Sequence, residues 1–79
     1  MKVEVQCYAG YRGEERPTRV RLGERWLVVT DVEDKWYSPA ETYFRVRVEG
    51  GDWYVLKHVE AEDLWSLEGY RSAANYSQE

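Results

Sequence analysis

A chain of 79 residues holds one domain and leaves no room for a second core. With 15 acidic against 11 basic side chains and a formal net charge of −4, it is not held to nucleic acid by bulk charge, although a local basic stripe is compatible with that balance. Its single cysteine, Cys7, excludes an intrachain disulfide and a structural zinc site; four Trp, seven Tyr and one Phe supply core mass instead.

Apolar residues recur with period two almost throughout. Val3, Val5 and Cys7 alternate with Lys2, Glu4 and Gln6, the pattern of a half-buried first strand. The glycines of Ala9-Gly10-Tyr11-Arg12-Gly13 predict a turn, and Pro17 suits the start or edge of the next strand. There Thr18, Val20 and Leu22 share one face, with Arg19 and Arg21 on the other. Gly23-Glu24 is short enough for a tight hairpin turn.

From Arg25 to Val32 both faces carry apolar residues: Trp26, Val28, Thr30 and Val32 on one, Leu27 and Val29 on the other. Such a strand is central, or bends as a barrel closes. Asp31 to Lys35 then leads outward, and Ser38-Pro39-Ala40 reads as a loop.

The stretch from Thr42 to His58 predicts a hairpin about Gly50-Gly51. A two-residue turn sets Val48 opposite Trp53, Val46 opposite Val55 and Phe44 opposite Lys57. Phe44, Val46, Val48, Trp53 and Val55 then build the core, leaving Tyr43, Arg45, Arg47, Tyr54, Leu56 and His58 on the second face. Arginines interleaved with tyrosines suit base stacking and phosphate pairing; they equally suit a solvated sheet face with cross-strand packing.

The acidic turn Glu60 to Asp63 precedes a last short strand, Leu64 to Leu67. A two-residue turn at Ala61-Glu62 sets Trp65 beside His58 on the basic face; a three-residue turn sends it toward Val59 and the core. The expected fold is therefore all-β: a small antiparallel barrel, SH3-like or similar, or a strongly curved sheet of five to six short strands. The domain spans residues 1–68, and residues 69–79 form a tail, irregular or marginally helical.

Familiar chemistries are missing. The chain has no phosphate-cradling glycine loop and no Gly-x-Ser-x-Gly. Asp31-x-Glu33-Asp34 and Glu60-x-Glu62-Asp63 lack the spacing and glycine of a calcium loop and read as turn chemistry. Cys7 and His58 are the only nucleophile and base of the usual kind, and Cys7 falls on the apolar side of its strand, where thiols are inert. No catalytic residue, cofactor or metal is implied. Nothing reads as a leader or a bilayer-spanning run, and one unpaired cysteine fits the cytoplasm.

Cys7-Tyr8-x-Gly10, Glu15-Arg16-Pro17, a Gly23-led strand, Trp36, Phe44-Arg45-Val46-Arg47 and Ala61-Glu62-Asp63-x-Trp65 stand in an order and spacing that resemble a family of small bacterial proteins of unknown function. The match runs from about Val5 to Leu67. A similar domain is appended to the C-terminal end of some Y-family polymerase-like proteins of mutagenic repair. The resemblance implies a stand-alone β domain with no catalytic residues to carry over, and tilts any binding role toward DNA or a repair partner. This chain departs from that family in its longer polar tail after Gly69.

The expected function is a non-enzymatic interaction module for a protein partner or a second copy of the chain, because aromatic-rich small barrels present grooves and open edges. Tyr8, Tyr11, Trp36 and Tyr37, in or next to loops, are placed to form an exposed aromatic patch. The alternative is weak single-stranded nucleic-acid binding. The candidate binding face is Tyr43, Arg45, Arg47, Tyr54, His58 and Trp65.

Overall fold

The computed structural model describes residues 1–9 and 15–73. Six strands follow in chain order: β1 (Lys2–Ala9), β2 (Glu15–Leu22), β3 (Arg25–Tyr37), β4 (Glu41–Val48), β5 (Trp53–Val59) and β6 (Leu64–Arg71). Each pairs antiparallel with the next, and β6 returns to β1, so the sheet closes as a meander barrel. Ala9, expected in a turn, ends β1; residues 10–13 of that turn and the tail from residue 74 lie outside the described residues. β6 runs to Arg71, past the expected boundary at residue 68. No helix among the described residues is long and apolar enough to cross a membrane.

Bulges let so few strands curl shut, because an extra residue on one strand bends it and sharpens the twist. In β3 the register slips at Thr30 and again at Glu33. Each slip exchanges the faces of everything beyond it, so Leu27, Val29 and Val32 all pack on the core. Val32 thus leaves the face expected for it, and Asp31 to Lys35 continue the strand rather than leading outward. In β2 the extra residue is Thr18, whose Oγ1 donates to the Gln6 carbonyl at 3.1 Å. Pro17 and Val20 are consequently buried while Thr18 is exposed.

The barrel interior holds Val20, Leu27, Phe44, Val46, Val48, Tyr54, Leu56 and Trp65, with Val3, Val5, Leu22, Val29, Val32 and Leu67 packed against them. Two buried polar side chains, Thr42 and His58, sit at one end. The turn after β5 satisfies both, as buried polar groups require. Glu60 Oε2 accepts from Thr42 Oγ1 at 3.1 Å, and Asp63 Oδ1 lies 2.9 Å from His58 Nε2. A carboxylate only accepts, so this pair selects the imidazole with its proton on Nε2. Asp63 reaches back from a left-handed backbone, φ 53°, which Asp tolerates better than most residues.

Closure of the barrel is short. β1 and β6 pair only at Lys2–Ser66 and Val3–Trp65, with a further bond from Leu67 N to the Met1 carbonyl. Past Val3, β1 is paired on one flank only among the described residues. Cys7 is accordingly exposed although it shares a face with Val3 and Val5, which corrects the inert, buried thiol expected for it.

The β4–β5 turn decides the faces of β5. Val48 N donates to the Asp52 carbonyl at 3.0 Å and Gly51 N to the Val48 carbonyl at 2.9 Å. The loop is thus Glu49-Gly50-Gly51, three residues rather than two, with φ of 92° and 97° at its glycines. A Cβ on Gly51 would stand 3.2 Å from the Ala73 Cβ. Gly51→Ala is expected to cost about 1–3 kcal/mol, read from urea unfolding; an unchanged midpoint would mean that the loop adopts another conformation.

Candidate functional site

The three-residue loop pairs Arg47 with Trp53, Arg45 with Val55 and Tyr43 with Lys57, while Phe44 faces Leu56 and Val46 faces Tyr54. Against the expected pairing every β5 side chain changes face, the consequence of a one-residue slip where the side-chain period is two. The candidate face therefore divides. Tyr43, Arg45 and Arg47 lie on the outer surface, whereas Tyr54, His58 and Trp65 are buried, at 7%, 4% and 7% exposure.

Trp65 does pair with His58, as the two-residue turn at Ala61-Glu62 required. The ladder closes at Val59–Leu64, so the turn holds the four residues Glu60 to Asp63. Because His58 itself points inward, the pair lies in the core. The rings stack with centroids 4.1 Å apart, and Phe44 packs on Trp65 at 5.5 Å. His58 and Trp65 are thus packing residues and not a binding face.

In their place the outer surface gains Trp53 and Val55 from β5 and Arg71 from β6. These complete an open groove of about 560 Å³ lined by Glu33, Arg45, Arg47, Trp53, Tyr54, Val55, Tyr70 and Arg71. Two cross-strand rows build it: Arg45–Val55–Gly69 and Arg47–Trp53–Arg71. Gly69 has no side chain, so the floor over Val55 stays low. A bulge in β6 at Glu68 brings Gly69 and Arg71 opposite Val55 and Trp53.

Glu33 is present because of the second β3 bulge, which aims it across β4. Its Oε2 accepts from Arg47 Nε at 2.9 Å and its Oε1 from Trp53 Nε1 at 2.8 Å. Arg45 Nε stands at 3.9 Å, the outer limit of pairing. The Arg47 guanidinium lies 4.3 Å from the Trp53 ring centroid, a cation–π arrangement. Among the described residues no carboxylate pairs with Arg71. The lining sets three arginines against one glutamate, with Asp31 and Asp34 of β3 opposite Arg47 and Arg45 at its β4 border, on a chain whose net charge is −4.

Along the same surface Tyr43 and Trp36 stack at 5.5 Å with planes 2° apart, and Lys57 pairs with Glu68 at 3.7 Å. Tyr8 and Tyr37 are exposed at the strand ends; Tyr11 lies outside the described residues. Arg19 and Arg21 do not join the stripe. They sit on β2, three strands round the barrel from β5, and Arg21 is paired with Glu4 at 3.1 Å.

Cys7 and His58 are not brought together. Val3 is level with Trp65 and His58, and Cys7 lies roughly 13 Å further along β1, exposed, with His58 buried inside.

Tyr54 lies behind the groove, its side chain buried. Burial raises its pKa above the ordinary 10.0, as do the nearby Asp52 carboxylate and Tyr70, while Arg25 acts in the opposite sense. The folded value exceeds the unfolded one, so the stability held by the neutral phenol is intact below about pH 10 and is lost as pH rises through the folded value. Tyr54→Phe is expected to flatten the alkaline fall in urea midpoint. An identical fall in both proteins would place its origin in other groups.

No family model, curated protein or solved structure matches this chain.

Proposed function

We propose that this domain is a non-enzymatic interaction module, acting in the cytoplasm of a bacterium, that takes a protein segment into the outer groove of β4, β5 and β6. The observation that carries the reading is the groove's composition. An apolar floor at Val55 and Gly69, with Trp53 beside it, is ringed by Arg45, Arg47 and Arg71. Aromatic and arginine anchors around a low apolar centre are the anatomy of protein interfaces. The separation of Cys7 from His58 supports a binding role over a Cys–His reaction, and a chain with a single cysteine suits a reducing compartment.

The reading is tested by placing a photo-crosslinking side chain at position 55 and, as a control, at the exposed Arg19 on the far side of the barrel. Protein adducts from position 55 alone are expected. Equal labelling from both positions, or none from 55, overturns it. A second copy of the chain as partner would appear as a crosslinked dimer and as a dimer in sedimentation.

Single-stranded nucleic acid is the second reading, favoured by Trp36, Tyr43, Arg45 and Arg47 sharing one outer surface and by the resemblance to a polymerase-appended domain. Its weakness is that the rings are already engaged: Trp53 is covered by Arg47, and Tyr43 by Trp36. Fluorescence anisotropy with a labelled oligothymidylate at low salt tests it. Affinity should be micromolar or weaker and steeply salt-dependent, and Arg45→Glu with Arg47→Glu should abolish it.

A further inference from the structure

Resting on the groove reading, we infer that the ligand is an extended acidic segment of a protein, with carboxylates on Arg45 and Arg71 and an apolar side chain between them against Val55 and Trp53. The chain already shows what the groove accepts. Glu33 is a carboxylate held by a guanidinium N–H and an indole N–H, at 2.9 and 2.8 Å. It uses Arg47 and Trp53, and leaves Arg45 at the edge of pairing distance and Arg71 beyond it. Arginine guanidinium groups match carboxylates in bidentate geometry; Arg71 has no carboxylate partner among the described residues, and Arg45 is held only by Glu33 at 3.9 Å, while Asp34, opposite it on β3, accepts from the Lys35 N–H at 2.9 Å.

Spacing favours a peptide in extended form. Arg45 and Arg71 are two strands and two residues apart, which sets their Cα atoms roughly 12 Å from each other. In an extended chain, side chains on one face recur about every 6.7 Å, so residues i and i+4 span about 13 Å. The residue between them, i+2, then falls on β5 midway between Val55 and Trp53, beside the notch left by Gly69. The pattern is acidic-x-apolar-x-acidic. A nucleic-acid strand fits less well, because its regular phosphates would run past the Glu33 carboxylate, whose charge repels them. Glu33 thus selects a ligand with separated negative charges over a continuous polyanion.

The test is anisotropy with fluorescein-labelled peptides carrying Glu-Ser-Leu-Ser-Glu, Gln-Ser-Leu-Ser-Gln or Lys-Ser-Leu-Ser-Lys, beside a labelled oligothymidylate, at low and moderate salt. The Glu peptide should bind, weaken with salt, and exceed the Gln peptide by roughly tenfold or more. Arg45→Glu and Arg71→Glu should each cost the Glu peptide roughly tenfold; Arg19→Glu, the same charge change on the far side, should cost nothing. Glu33→Gln removes the charge and keeps one of the two acceptor oxygens, releasing either Arg47 Nε or Trp53 Nε1, and should tighten the Glu peptide about fivefold. The Arg45→Glu, Arg71→Glu double variant should bind the Lys peptide instead, which shows that it is folded.

Equal binding of Glu and Gln peptides sinks the acidic ligand while leaving the groove reading intact. Binding of the oligothymidylate in preference to every peptide overturns both. Failure of all peptides, with crosslinks from position 55 still seen, rejects this ligand class alone.

Discussion

Leu56→Ala is expected to cost about 2–5 kcal/mol, against a total stability of roughly 4–12 kcal/mol for a domain of this length. Leu56 is completely buried, faces Phe44 across β4 and meets Leu67 across β6. Truncation leaves a void in the middle of a barrel closed by backbone bonds, where relaxation is limited. Val55→Ala, one residue away, should cost under about 1 kcal/mol, because Val55 forms the floor of an open groove. The contrast is the diagnostic. Urea unfolding that ranked Val55→Ala above Leu56→Ala would restore the two-residue turn and put the groove residues inside. Binding should show the reverse order, with Val55→Ala weakening a groove ligand and Leu56→Ala acting only through the folded fraction.

Trp65→Ala is expected to cost about 3–5 kcal/mol, a large share of the total for a domain of this length. The ring packs between His58 and Phe44, and its backbone is half of the two-pair closure between β1 and β6. Its loss therefore opens a cavity where the barrel is least redundantly held. Trp65→Phe keeps a ring there and should cost less, about 1–2 kcal/mol, a partial cavity. The Phe variant separates packing from binding. If it folds but loses a groove ligand that the parent binds, Trp65 belongs to the site after all.

The strands were legible from alternation, and the number of elements from turn chemistry. Gly23-Glu24 makes the two-residue turn that its sequence asked for, closing at Leu22–Arg25. Phe44, Val46 and Val48 are buried as the alternation required. Tyr43, Arg45 and Arg47 consequently reach the outer surface, half of the expected face.

The other half failed on one residue of loop length. In β5 both alternations are apolar, Trp53 and Val55 against Tyr54 and Leu56, so periodicity could not choose between them. One signal was available: a two-residue turn set Lys57 against Phe44, a cation among core residues. The three-residue loop turns Lys57 outward to Glu68 and puts Thr42 against His58 instead. Glu33, Gly69 and Arg71 carried no such signal. Each owes its position to a bulge, and an extra residue in a strand shows in the sequence only as a lapse in alternation.

Sequence alone determined the all-β class, since apolar residues with a period of two between short turns make strands, and that β4 splits into an apolar and a basic-aromatic face. Tertiary structure alone decided which β5 residues join that basic face. It also decided that the face becomes a groove, and that Glu33 lies inside it. The physical reason is common to all three. Side-chain direction along a strand is binary, and each bulge or odd loop reverses it, so small choices of backbone geometry settle which residues meet across strands far apart in the chain.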